Sequence, residues 1–273
     1  MTAARPDLPT TAAIAVVAYA LANAFHEGLG HGGACLMVGC DPVLLTSMTF
    51  HGEEQGLGDL AQRFISSGGT LANLGAAAIA LLLLRRTTPG AHARWFFLWL
   101  FATINLLQAT GYLLFSGLGN IGDWAAVVRG WPMPGLWRLL LAAAGGISYW
   151  FAVDAMMKRL GARVPGAGAA RLPVVNRLTL TAYFTGALLY VTAGLFDPAG
   201  LVILFIAAAA ASLGGTSGLA WGPQLLRDPK AGPHAPPPLE LDRDWRWIAA
   251  AAVVAAAFIF VLGPGIALGP PGK

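Results

Sequence analysis

Residues 25–33 read FHEGLGHGG and set His26, Glu27 and His31 inside a stretch otherwise made of apolar and small residues. Imidazole nitrogens are zinc ligands, and an adjacent carboxylate can take a proton from a water whose pKa a metal lowers to about 7. An ionisable side chain at mid-bilayer costs about 2.5–3.5 kcal/mol on insertion scales, which makes such a group a functional-site candidate by default. A bound cation would offset that burial. The spacing departs from the zincin string H-E-x-x-H, whose histidines stand one turn apart on one helical face. Here one residue is extra, and five positions on a regular α-helix turn the rings about 140° apart, too far for one ion. A π-bulge would absorb the extra residue. Alternatively, Gly28 and Gly30 would let the helix break, which membrane depth tolerates only where the backbone lines a cavity or packs in protein. A pair of hydrogen-bonding core histidines is the bland alternative.

The elements that must carry this group are apolar throughout. The chain has 273 residues, 56% hydrophobic and 11% charged, against about 25% charged in soluble domains. Seven runs are long and apolar enough to cross a hydrocarbon layer of about 30 Å: 11–38, 63–84, 95–117, 137–157, 178–196, 199–221 and 247–268. The expected fold is therefore all-α, a polytopic integral membrane helical bundle. A short strand or hairpin is expected between the first two spans, where PVLLTSMTFHGEE alternates. Residues 1–222 form the expected bundle with the metal site, 223–246 a Pro-rich charged linker, and 247–273 a C-terminal transmembrane helix. The first 24 residues read as retained helix in preference to a cleaved leader, because apolar character continues past ALANA. Cys35 and Cys40 match neither a CxxC redox pair nor a zinc knuckle. They read as small apolar residues, with a disulfide open if that end faces an oxidising space.

A net charge of +4 would suggest nucleic acid in a soluble protein, but in a membrane protein basic residues mark cytoplasmic loops, and no nucleic-acid partner is expected. With the N-terminus cytoplasmic, only Arg63, Arg129, Arg138 and Lys273 of the 17 Lys and Arg residues fall outside, leaving 13 inside. That bias supports seven alternating spans and places His26 and His31 in the outer half of the first. In the third span Asn105, Gln108 and Tyr112 recur at i, i+3 and i+7, a polar stripe that would line a cavity or bond to neighbouring helices. Asp123 follows that span's outer end, where it is either a third metal ligand or the cap of WAAVV. His51 with Glu53 and Glu54 reads as a solvated loop.

FHEGLGHGGA followed by SGGTLANLGAAAIALLLL resembles the site-2 protease family of intramembrane zinc metalloproteases over about the first 130 residues. The family follows its H-E-x-x-H helix with a glycine-rich helix carrying a G-P-x-x-N-like element. Gly69 to Asn73 match that element, with Thr70 where proline is usual. The resemblance implies one zinc ion on His26, His31 and Asp123, Glu27 as general base, a transmembrane or membrane-proximal protein substrate, and Asn73 at the site; the Asn105, Gln108 and Tyr112 stripe is the further candidate for lining it, by its spacing alone. Asp123 lacks the family's Asn-x-x-Pro…Leu-Asp-Gly context. The family's metal lies nearer the cytoplasm, whereas the basic-residue count puts this one nearer the outside.

Three function classes follow. The first is a zinc peptidase in a bacterial cytoplasmic membrane, in contact with lipid, whose PVLLTSMTF segment offers substrate an edge strand. The second is a transporter or metal-handling carrier using the same residues as an ion site. The third is a non-catalytic scaffold, favoured by the extra residue in the motif. Oligomeric state is open in all three.

Overall fold

The computed structural model describes residues 6–88, 90–166, 168–201, 210–226 and 236–269. Among the described residues, four helices are long and apolar enough to cross a membrane: α1 (Leu8–Met37), α2 (Asp59–Arg85), α3 (His92–Gly119) and α5 (Pro134–Gly161). Between α3 and α5 lies the one-turn α4 (Asp123–Val127). The remaining helices are α6 (Leu172–Gly194), the short α7 (Gly218–Trp221) and α8 (Trp245–Val261). Strands β1 (Asp41–Leu45) and β2 (Phe50–Glu53) join α1 to α2 as an antiparallel hairpin.

Sequence and structure differ towards the C-terminus. The expected sixth span, 199–221, falls partly outside the described residues; of its described part, 201 and 210–214 are helical, and a turn at 215–217 separates them from α7. Helix α8 stops at Val261, short of the expected 268, because Gly263 and Pro264 follow; the chain then forms β3 (Ile266–Ala267) against β1. The sheet order is thus β2-β1-β3. This corrects the expectation that the 42–45 strand presents a free edge, since the protein's own C-terminal residues pair with it.

Polar anchors begin the first helix. Asp7 caps α1 by accepting from Thr10 N–H at 2.9 Å, and Pro9 in the first turn has no N–H to lose. Asp7 also pairs with Arg243 at 2.9 Å, drawing the 236–244 segment of the expected linker back onto the start of α1. Although burial opposes ionisation of Asp7, the bonds from Thr10 and Arg243 outweigh it and lower its pKa.

The apolar core forms around α3, whose Trp99, Ile104 and Leu107 meet Ile14 and Tyr19 of α1, Val153 and Met156 of α5, and Leu178 and Tyr190 of α6. Two of the large polar rings in this core are matched: Trp99 Nε1–H donates to the Met156 carbonyl at 2.9 Å, and Tyr190 O–H to the Tyr19 carbonyl at 2.9 Å. The hairpin tip is buried too. Its Thr46 hydroxyl donates to Asp197 at 2.7 Å, Ser47 N–H donates to the Leu262 carbonyl at 2.7 Å, and Asn23 donates to the Ser47 carbonyl. Helices α1, α6 and α8 therefore all set where β2 lies.

Candidate metal centre

The extra residue of the first motif is absorbed by a π-helical segment, Phe25–Gly32, inside α1. Its i→i+5 bonding is seen at its end, where Gly33 N–H reaches the Gly28 carbonyl. This winding brings positions 26 and 31 to one face, and the two Nε2 atoms stand 3.3 Å apart. Glycine allows a second element to come against them. A Cβ on Gly30 would lie 2.5 Å from Gly69 Cα, so α1 and α2 touch backbone to backbone. A Cβ on Gly69 would lie 2.5 Å from His26 Nε2 and 2.7 Å from His31 Nε2, which makes α2 the floor of the site.

Asp123 completes a triangle. Its Oδ2 lies 3.3 Å from His26 Nε2 and 3.5 Å from His31 Nε2. A tetrahedral ion with ligands at 2.0–2.1 Å needs donor atoms about 3.3–3.4 Å apart. All three edges, 3.3, 3.3 and 3.5 Å, fit that requirement. Asp123 is the first residue of α4, next to a Gly122 at φ 84°. Trp124 beside it donates from Nε1 to Thr70 Oγ1 at 2.9 Å, and Arg63 of α2 donates to the carbonyls of Val127 and Arg129. Thr70 is thus a contact that holds the aspartate's turn on α2.

The outer nitrogens decide which tautomers the rings adopt. His31 Nδ1 lies 2.8 Å from the Ile65 carbonyl, an acceptor only, so Nδ1 carries the proton and in the neutral ring Nε2 keeps its lone pair. His26 Nδ1 lies 3.2 Å from the Asn73 amide, whose buried Oδ1 has no other partner among the described residues. With Oδ1 turned to accept from His26 Nδ1–H, that orphan is satisfied and the second Nε2 also points a lone pair inward. Two imidazole lone pairs and a carboxylate oxygen then converge with no proton between them. That arrangement is repulsive unless a cation fills it, as metal ligands with matched outer partners do. Replacing Asn73 by Leu is expected to weaken metal binding 10–100-fold, read by competition with a chromophoric chelator. Unchanged affinity would show that Asn73 does not set the tautomer.

Glu27 stands beside the triangle, its Oε1 4.0 Å from His26 Nε2, and the Phe50 amide of β2 is within hydrogen-bonding reach of it. Its distance suits a proton acceptor at an open ligand position better than a fourth ligand.

Other expected residues are placed differently. The Tyr112 ring stacks on His26 at 4.8 Å between centroids. Gln108 donates to Tyr190 O–H at 3.1 Å. Asn105 is fully buried and donates to the Phe101 carbonyl of its own helix, so it does not reach the triangle. Asn73 contacts His26 instead of lining open space. Cys35 and Cys40 form a disulfide, because Gly39 at φ 78° turns the chain back after α1. The contacts of Trp124 with Thr70 and of Arg63 with the Val127 and Arg129 carbonyls carry no sequence signal, since the partners lie 54 or more positions apart. Comparison of the chain with protein-family models, characterised proteins and solved structures gave no match.

Proposed function

We propose that this protein is an intramembrane zinc metallopeptidase of site-2 protease type, cutting a peptide bond of a transmembrane or membrane-proximal protein. The observation that carries this reading is the triangle of His26 Nε2, His31 Nε2 and Asp123 Oδ2, whose edges are those of a tetrahedral zinc site. An ion held there supplies a Lewis acid that acidifies water and polarises the scissile carbonyl. The chain's own groups do the rest. Glu27 takes the proton of the attacking water and returns it to the leaving amine, and the Asn73 and Ile65 contacts fix both imidazoles with Nε2 inward. β2 brings backbone groups beside Glu27, where an extended substrate segment presents its carbonyl.

We place the protein in a bacterial cytoplasmic membrane with seven spans and a cytoplasmic N-terminus. The support is the 13-to-4 distribution of Lys and Arg and the Cys35–Cys40 disulfide at the far end of α1, which suits an oxidising compartment. Metal analysis tests the core of the reading. Protein purified without chelator is expected to hold one zinc per chain, and His26→Ala or Asp123→Ala to hold less than a tenth of that; metal-free wild-type protein that takes up no zinc on titration would remove the reading.

A further inference from the structure

A cavity of about 250 Å³ lies between α3, α5 and the 210–217 segment, walled by Gly111, Tyr112, Phe115, Tyr149 and Gly214, with Gln108 also lining it. Tyr112 belongs to both this cavity and the metal centre, because the ring that forms the cavity wall is the one stacked on His26. The walls are largely apolar, and the volume is below the ~300–1,000 Å³ of drug-sized sites, which suits one bulky side chain. Gln108 supplies an independent sign of a ligand. It is 2% exposed, its Nε2 is committed to Tyr190, and its Oε1 has no partner among the described residues. A buried acceptor left unmatched is destabilising, so an orphan lining a cavity marks where a donor from outside belongs.

We propose that the cavity is the pocket for a bulky apolar side chain of the substrate next to the scissile bond, with Gln108 Oε1 accepting from that residue's backbone N–H. This rests on the peptidase reading above and specifies it: the enzyme selects peptides with a large aliphatic or aromatic residue at that position over those with alanine or glycine. Each added carbon in an apolar pocket strengthens binding about fourfold, so an isobutyl group exceeds a methyl group by about 50-fold. A bound phospholipid would use the same apolar walls but has no reason to share Tyr112 with the metal.

The test uses zinc-loaded full-length protein in lipid nanodiscs and two peptidyl hydroxamates, identical except for an isobutyl or a methyl side chain beside the zinc-binding group. The isobutyl compound is expected to bind about 50-fold more tightly. Gly111→Leu, whose Cβ would meet only ordinary contacts at 3.5 Å, fills the space and is expected to bring the two affinities within about threefold at unchanged metal content. Gln108→Met is expected to weaken the isobutyl compound about fivefold, and no change would overturn the role of its Oε1. Tight binding of both compounds with equal affinity would overturn the pocket and leave the metal centre standing. Equal affinity with a phospholipid retained by the wild type and lost from Gly111→Leu would assign the cavity to an acyl chain and likewise overturn it. Failure of either hydroxamate to bind, in protein that also takes up no zinc, would remove the peptidase reading and the pocket with it.

Discussion

Glu27→Gln protein is expected to keep one zinc per chain and to lose turnover of a cleavable membrane substrate by at least about 10³-fold. The carboxylate sits 4.0 Å from His26 Nε2, beyond the 3.3–3.5 Å edges of the ligand triangle, so replacing it by the isosteric amide leaves the three metal contacts in place. What disappears is the proton acceptor. A positioned general base contributes about 10²–10⁴-fold, and in the proposed mechanism the same group also returns the proton to the leaving amine, which places the expected loss toward the upper end. The measurement is paired, metal content by mass spectrometry and cleavage by the appearance of a new amino terminus. Undiminished cleavage would sink the assigned chemistry. Zinc-dependent flux across vesicles, with no cleavage by either protein, would point instead to a carrier that uses the same residues as an ion site.

Gly69→Ala has the second large effect, although it removes no ligand and changes no charge. Its methyl group would stand 2.5 Å from His26 Nε2 and Cε1 and 2.7 Å from His31 Nε2, the atoms that face the centre of the triangle. Neither ring has room to retreat, since His26 is stacked on Tyr112 and His31 is tied to the Ile65 carbonyl. Overpacking of this kind costs about 1–3 kcal/mol. The higher value corresponds to about 100-fold in metal affinity, and with the rings displaced from the triangle we expect binding to fall by at least that factor. Gly75→Ala on the same helix is the matched control: a Cβ there meets nothing within 4 Å, so it should bind metal normally and be as stable or slightly more stable. Equal affinities in the two variants would show that α2 is not the floor of the site.

Hydropathy and residue type were sufficient for much of this protein. Four apolar stretches foretold α1, α2, α3 and α5 because a membrane-length helix needs only composition and length. Alternation in 42–54 foretold a hairpin. His26, Glu27 and His31 stood out because ionisable groups among apolar residues demand a reason. The pairing of β3 with β1 was not legible, since two residues carry no periodicity and their partner lies more than 200 positions earlier. Asn105 shows the limit of spacing, which gives a helical face but not whether the side chain bonds its own backbone.

By itself the amino-acid order determined the apolar helices, the His-Glu-His group and the excess residue within it, since each is a local property of composition or spacing. Only the folded chain decided that the excess residue is wound into a π-segment, that glycines 30, 68 and 69 let α2 close against it, and that Trp124 on Thr70 delivers the Asp123 carboxylate to both rings. The reason is geometric. A tetrahedral ion tolerates errors of a few tenths of an ångström, and positions nearly 100 residues apart reach that agreement through packing, which no local pattern records.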